Sequence, residues 1–465
     1  MSGLFGVVAK EDCRDTLFYG TDYQSHLGTQ YGGLAVVDRT IQRRIHNISR
    51  RQFKSCFFDD LDELDGRMGI GVISADDPQP MTLNSRFGDF AVVVDGNIRN
   101  KQALAAELHA EGMSFGDSTA DHINSAELVA KLISLGEDVV DGIQRMFDKI
   151  QGAASVLVLT REGLYAARDH FGHSVLAVAE GGGCTAVATE TTAFPNLGLV
   201  PKKFLLPGEI VHIGDDGLTS RDQGNDACQV CAFLWIYTGF PASSYEDINV
   251  ETVRERCGHN LADGDDVEAD FVSGVPDSGI AHALGYAQGK GIPYRRPLVK
   301  YTPGYGRSYT PPSQAIRDLV AKMKLIPITE VIRGHRIVVC DDSIVRGTQF
   351  KAYTVKKLWD CGAREVHLRI ACPPLMFPCR YNISTRTAEE LAARRAIKAI
   401  EGDAIPDVSA YLDPASDKYR RMVDWIANDL GVTSLKYQTA DEMVQAIGLP
   451  RDRLCLYCWS GAGTE

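Results

Sequence analysis

The chain has 465 residues, 44% of them hydrophobic and 24% charged, with a formal net charge of −12. That length allows two or three domains with cores of ordinary size, and the composition excludes a disordered or fibrous chain. The acidic balance excludes a protein that depends on broad electrostatic contact with nucleic acid or an anionic membrane, although it leaves room for a local basic pocket. The N-terminus, MSGLFGVVAKEDC, has no basic lead followed by a long apolar core, and no stretch approaches about 18 uninterrupted apolar residues. The expectation is a cytoplasmic protein with neither nucleic-acid nor membrane partners. Twelve cysteines in such a chain point to reduced thiols, metal ligation or burial rather than a disulfide framework.

From residue 1 to about 220, short apolar runs (FGVV, GLAVV, GIGVIS, FAVVVDGNI, ASVLVLT, CTAVATE, GEIVHI) alternate with Gly, Asp and Asn turns. Residues 125–135 form the clearest helix, with Leu128, Val129, Leu132 and Ile133 as its apolar stripe. This pattern predicts a layered α+β domain of mostly antiparallel strands. After residue 250, strand and helix alternate (VEADFVSGVPDSG, IAHALGYAQGKG, RIVVCDDS, TQFKAYTVKKLWDCG, REVHLRIACPP), which predicts βαβ units, a parallel sheet and ligand loops at the carboxyl ends of its strands. The boundary falls near residues 220–232. Helices follow from Ala388 onward and over residues 419–430.

Residues 338–348 read VVCDDSIVRGT: a β-branched run ends in two aspartates before a Gly-Thr turn. The backbone N–H groups of residues 343–348 can gather around a phosphate at the start of a helix near Gln349, where the helix dipole favours an anion. Asp341 and Asp342 then accept hydrogen bonds from vicinal ribose hydroxyls, so the spacing suits a ribose 5-phosphate. The bland alternative is a strand end with two solvated aspartates and an ordinary cap.

The stretch resembles the phosphoribosylpyrophosphate (PRPP) signature of type I phosphoribosyltransferases, and in particular the VDDSIVRGTT of the amidophosphoribosyltransferases. VSGVPDSGIAHALGYAQGKGIPY resembles that family's pyrophosphate loop and following helix, and GRSYTPPSQAIRDLVAKMKL its flexible catalytic loop. The resemblance implies a class II glutamine amidotransferase domain of the amino-terminal-nucleophile fold (α+β) over residues 1–228. An α/β type I phosphoribosyltransferase domain follows over residues 229–465, with carboxyl-terminal helices and a cluster-binding tail. It implies PRPP contacts from Asp341, Asp342, Ser343, Ile344, Val345, Arg346, Gly347 and Thr348, and from Pro276, Asp277, Ser278, Gly279 and Lys300. Arg307 and Lys324 are implied to stabilise the departing pyrophosphate, with Mg2+ near Asp341 and Asp342. One departure is KYTPGYGR, where the family has an Asn-Arg-Tyr run; another is FLWIYTGFPAS, where it has FEYIYFARPDS.

The family begins with a glutaminase domain whose first mature residue is a nucleophilic cysteine with its own α-amine as base. Here that position is Ser2. The family's His-Val-Arg-Tyr segment, whose arginine grips glutamine, aligns with Val72, Ile73, Ser74 and Ala75. Its Asn-Gly oxyanion pair aligns with Asp95 and Gly96, its aspartate for the glutamine amine with Ser125, and the arginine of its His-Arg-Gly turn with Leu27. Scaffold positions such as Gly28, Gly33, Arg168, Asp169, Pro207, Gly208 and Glu209 still match. The resemblance therefore implies a retained fold without glutaminase chemistry.

Cys455 and Cys458 in RLCLYCWSG, Cys379 in FPCRY and Cys231 match the ligands of the family's iron–sulfur class, implying a [4Fe-4S] cluster. A structural zinc using the second C-x2-C pair, Cys228 and Cys231, or reduced thiols without metal are the alternatives. The implied function is formation of 5-phosphoribosylamine and pyrophosphate from PRPP, the first step of de novo purine biosynthesis, with ammonia rather than glutamine as nitrogen source. A non-catalytic sensor of PRPP or purine nucleotides is the alternative, and a transferase with another acceptor uses the same site. Purine nucleotides as inhibitors and a homodimer or homotetramer are further implications.

Overall fold

The computed structural model describes residues 2–119, 121–301, 323–348, 350–381, 387–402 and 407–463. The chain forms two compact units. The first comprises Met1–Cys231, Ala242–Asp247 and Arg380–Ile383; the second comprises Ala232–Pro241, Ile248–Cys379 and Ser384–Glu465. The expected single cut after residue 228 is thus replaced by a cut at Cys231 and two later returns to the first unit. Buried polar groups hold those returning segments. Glu190 accepts hydrogen bonds from Ser243 Oγ (3.0 Å) and Tyr245 Oη, and Arg168 Nη1 pairs with Glu246 at 2.7 Å. The ring of Tyr381 stacks on His173 with centroids 3.8 Å apart, and Asn97 Nδ2 donates to the Arg380 carbonyl at 3.0 Å.

The first unit contains a seven-stranded sheet ordered Val200–Phe204, Ala177–Gly181, Cys184–Ala188, Gly3–Ala9, Met68–Ser74, Tyr31–Val37 and Ile41–Asn47. Its second sheet has six strands, Gly217–Asp222, Ile210–Gly214, Leu164–Ala167, Gly152–Thr160, Gly88–Ile98 and Met81–Ser85. The alternation of side chains along a strand explains the layering. On the first strand, Leu4 and Val8 enter the core shared by the two sheets, while Phe5 and Val7 face Leu17 and Phe18 of helix Arg14–Asp22. On Gly88–Ile98, Ala91 and Val93 face the other sheet, while Phe90, Val92 and Val94 pack with Leu128, Leu132, Ile143 and Met146 from helices Ser125–Ser134 and Val139–Lys149. Both sheets are apolar on two faces because each is covered twice, giving the α+β layers that the turn-separated runs predict.

The second unit is built on a four-stranded parallel sheet in the order Phe271–Gly274, Arg336–Asp341, Glu365–Ile370, Ser434–Tyr437. Helices Val250–Ala262, Gly279–Lys290, Ala392–Glu401 and Asp417–Leu430 accompany it. The strand–helix alternation in the sequence arises from this architecture, because parallel strands need crossover connections. No helix among the described residues is long and apolar enough to cross a membrane.

A buried ion pair ties this sheet together. Arg369 donates to Asp265 through Nε and, at 2.9 Å, through Nη2, and its Nη1 reaches the Leu368 carbonyl (2.7 Å) and Ser434 Oγ (3.1 Å). Tyr286 of helix Gly279–Lys290 donates to the same carboxylate at 2.8 Å. Burial alone would raise the Asp265 carboxyl, but Arg369 and Tyr286 overcome it and hold the group down at about 2. A carboxyl depressed in the folded state adds stability above its unfolded pKa and loses it as pH falls towards the folded value. Asp265→Ala, which strands the buried Arg369, is expected to destabilise the protein by about 3–5 kcal/mol at neutral pH. The deficit relative to the parent should shrink between about pH 4 and pH 2. Denaturant unfolding across that range checks both.

Candidate active site

Strand Arg336–Asp341 is flanked by strands on both sides, and Ile337, Val338, Val339 and Cys340 are fully buried, which explains its β-branched run. The strand delivers Asp341 and then Asp342 to the carboxyl edge of the sheet, where open parallel sheets form their ligand crevices. Both are buried, at 7% and 4% exposure, so the bland alternative of solvated aspartates does not hold. Asp341 Oδ1 accepts from the Asp342 N–H at 3.0 Å and lies 3.5 Å from Ser278 Oγ; Asp342 Oδ1 accepts from Ser343 Oγ at 3.2 Å. Burial pushes both carboxyls above their usual range, and for Asp341 the neighbouring carboxylate adds to the rise. Two like charges withdrawn from water, with oxygen donors only, fit Mg2+, which binds through one or two carboxylates and completes its shell with phosphate oxygens and water.

The neighbouring strand Phe271–Gly274 ends at the same edge: the Val275 N–H donates to the Cys340 carbonyl at 3.0 Å, so Pro276, Asp277, Ser278 and Gly279 follow directly beside Asp341. The Pro276–Asp277 peptide is cis. Gly279 opens helix Gly279–Lys290 so close to the adjacent strand that a Cβ there would sit 2.4 Å from the Cys340 carbonyl oxygen. Lys300 Nζ pairs with Asp277 at 2.5 Å, and the positive charge of Lys324 acts on Asp341, opposing the rise of its carboxyl. Arg307 lies outside the described residues, as does Gln349.

In the loop beyond Asp342, Ile344 is buried, Ser343 and Val345 are half-buried, and Thr348 is exposed. Gly347 takes φ +74°, a left-handed conformation that favours glycine. Arg346 extends to Glu390 (2.8 Å). A helical turn, Phe350–Val355, begins after the loop, wound as a π-helix.

In the first unit Ser2 is buried immediately before strand Gly3–Ala9. Its N–H donates to Asp95 Oδ1 at 2.6 Å, and Ser174 Oγ donates to Asp95 Oδ2 at 2.9 Å. Burial raises the Asp95 carboxyl, against the pull of these donors. Ser74 is buried with its Oγ 3.3 Å from Gln79 Nε2, Leu27 is buried, and Ser125 Oγ accepts from Lys101 Nζ at 2.6 Å. The Lys101 contact had no sequence signal, because the two residues lie on different helices and neither belongs to a motif.

Cys231 belongs to the first unit and Cys379, Cys455 and Cys458 to the second. The peptide N–H groups of Met376 and Phe377 both donate to the Cys458 carbonyl, at 2.9 and 3.0 Å, which holds the segment preceding Cys379 against the tail. Arg168 Nη2 lies 3.7 Å from Cys228 Sγ, at hydrogen-bonding distance for sulfur. Among the described residues no group of three or more His, Cys, Asp or Glu side chains is arranged to hold a metal ion.

Residues 65–196 match the profile of the family described as "Glutamine amidotransferase domain". The amidophosphoribosyltransferase of Methanocaldococcus jannaschii is 32% identical over 99% of this chain and 97% of its own length. That of Bacillus subtilis is 30% identical over 99% of this chain and 93% of its own. The solved glutamine PRPP amidotransferase of B. subtilis, complexed with ADP and GMP, superposes with a TM-score of 0.84 at 30% identity, covering 99% of this chain and 96% of that one.

A carboxyl raised in the folded state makes the folded protein bind more protons than the unfolded chain, so stability falls as pH rises from the unfolded pKa through the folded one. Asp342→Asn is therefore expected to melt above the parent at pH 8, with the difference closing towards pH 4, when both are measured in chelator. Equal melting temperatures at pH 8 would mean that the pair carries no unneutralised charge.

Proposed function

The chain belongs to the amidophosphoribosyltransferase family, and from that premise we propose that its second unit forms 5-phosphoribosylamine and pyrophosphate from PRPP with ammonia, not glutamine, as the nitrogen source. By family this is the entry reaction of purine biosynthesis. The buried pair Asp341 and Asp342 carries the reading, beside a loop able to take a 5-phosphate and a second strand end able to take a diphosphate.

In this mechanism Asp341 and Asp342 accept hydrogen bonds from the ribose hydroxyls, backbone N–H groups of the loop from Ser343 through Thr348 hold the 5-phosphate, and the peptide groups from Pro276 to Gly279 receive the diphosphate. Lys300 and Lys324 supply positive charge to the departing pyrophosphate, and Arg307 is proposed for the same role. Mg2+, when bound, would neutralise charge on the diphosphate and the two aspartates. The nitrogen lone pair forms a bond to the anomeric carbon as the carbon–oxygen bond to pyrophosphate breaks, and the new ammonium loses a proton to solvent. The chain's contribution is positioning and electrostatic stabilisation, with no covalent intermediate.

The preference for ammonia rests on the first unit. Ser2 replaces a thiol, and the Asp95 carboxylate sits on its backbone nitrogen, where a negative oxygen would be unwelcome. The ammonium of Lys101 lies at Ser125, where a glutamine amine would need an anion. Ser74 and Leu27 offer no charge for the glutamine carboxylate. Purine nucleotides are proposed as inhibitors, since the B. subtilis relative was solved with ADP and GMP.

We also propose Cys231, Cys379, Cys455 and Cys458 as iron–sulfur ligands. Their spacing and the pairing of residues 376–377 with Cys458 favour it. Anaerobically purified protein is expected to contain iron and sulfide, and Cys458→Ser to lose both. A colourless, iron-free parent would overturn the assignment.

With PRPP and Mg2+, ammonium at high pH is expected to release pyrophosphate, while glutamine should not. Ser2→Cys should leave glutamine use unrestored, since loss of one oxyanion donor alone costs on the order of 10²–10³ in rate. Pyrophosphate release from glutamine at the ammonia rate would overturn the nitrogen-source assignment. PRPP binding without pyrophosphate release from either donor would favour the sensor.

A further inference from the structure

The loop that follows Asp342 is braced from behind by helix Ala392–Glu401. Three consecutive carbonyls of the loop have partners, two on that helix and one on the turn that follows the loop. The Val345 oxygen accepts from the Ala392 N–H, the first of that helix, at 2.7 Å. The Arg346 oxygen accepts from Arg395 Nη2 at 2.5 Å, and the Gly347 oxygen from the Lys351 N–H at 2.9 Å.

A trans peptide is planar, and its N–H points opposite to its C=O. Fixing the carbonyls of Val345 and Arg346 towards that helix therefore turns the N–H groups of Arg346 and Gly347 away from it, and fixing the Gly347 carbonyl on Lys351 turns the Thr348 N–H away from the following turn. Successive N–H groups beside a left-handed residue such as Gly347 make an anion-binding nest. Of the three braces, two are backbone groups, and Arg395 is the side chain that sequence could change.

Arg395 is itself oriented. Its backbone N–H bonds the Leu391 carbonyl at 3.0 Å within the helix, and its guanidinium lies 4.0 Å from Asp429, which also holds Lys351 at 3.0 Å. The same Nη2 lies 3.8 Å from the position a Cβ on Gly347 would occupy, and a Leu430 methyl lies 3.4 Å from it. The guanidinium thus packs under Gly347 while it grips the carbonyl before it.

We propose that Arg395 is a positioning residue for the phosphate group of the sugar-phosphate substrate: it touches no reacting atom and acts by orienting the peptide between Arg346 and Gly347. This rests on the transferase reading above and deepens it, because it assigns a residue outside the signature to the 5-phosphate end of the ligand alone. The diphosphate end, served by Pro276, Asp277, Ser278 and Gly279, belongs to a different strand end and should not respond.

The test compares the full-length parent with Arg395→Met and Arg395→Lys. Inhibition by ribose 5-phosphate and by inorganic pyrophosphate is measured against PRPP, alongside kcat with ammonium and the melting temperature. In Arg395→Met the KM for PRPP and the inhibition constant for ribose 5-phosphate are expected to rise by about tenfold or more, the low end for losing one charged hydrogen bond. The constant for pyrophosphate and kcat should stay within about twofold of the parent. Arg395→Lys, which can still reach the carbonyl, should fall between the two. A parallel rise in the ribose 5-phosphate and pyrophosphate constants, or no change in either, overturns the assignment. A parent that binds neither PRPP nor ribose 5-phosphate overturns the transferase reading itself, and this inference with it.

Discussion

Two carboxylates buried side by side at the end of a central strand are the constraint on which the second unit turns. Neither Asp341 nor Asp342 can discharge its charge into water, and burial raises both. Such a pair persists only where the surrounding structure is rigid enough to hold it. The parallel sheet on either side, the Asp265–Arg369 pair within it, and the hydroxyls of Ser278 and Ser343 supply that rigidity. Arg254 provides the largest opposing pull on Asp342, and its buried guanidinium is fixed by the carbonyls of Trp235, Tyr237 and Gly239. The unit is thus built around a local instability that a cation and a polyhydroxyl ligand would relieve.

The first unit shows the opposite condition. Its two sheets and their three apolar layers are intact, while the polar groups near its amino terminus bond to one another: Ser2 to Asp95, Asp95 to Ser174, Ser74 to Gln79, Ser125 to Lys101. A buried polar group costs free energy unless it is hydrogen-bonded. These four pairs each satisfy a buried or partly buried polar group from within the unit, and the apolar layers that build the fold do not depend on them.

Much of this was legible in the sequence. Short apolar runs such as FAVVVDGNI, separated by Gly, Asp and Asn turns, foretold strands layered in a core, because a strand covered on both faces is apolar throughout. VVCDDSIVRGT foretold its strand and the two acids at its end because a β-branched run followed by Asp-Asp has few other uses. The helix at Ser125–Ser134 appears within a residue of its expected end. What escaped were contacts between residues far apart in the chain: Lys101 on Ser125, Arg395 behind the loop, and the return of residues 242–247 to Glu190.

By itself the sequence determined the two-part organisation, the strand and helix periods, and the family to which the chain belongs, since each is encoded in local spacing and in motifs that survive at 30–32% identity. Tertiary structure alone decided the desolvation of the site and the direction in which its backbone groups point. Whether Asp341 and Asp342 are solvated or buried depends on what packs over the strand end, and which way the peptides of the loop face depends on Ala392 and Arg395, more than forty positions later in the chain. Desolvation and hydrogen-bond direction are properties of three-dimensional neighbours, and linear spacing carries no record of them.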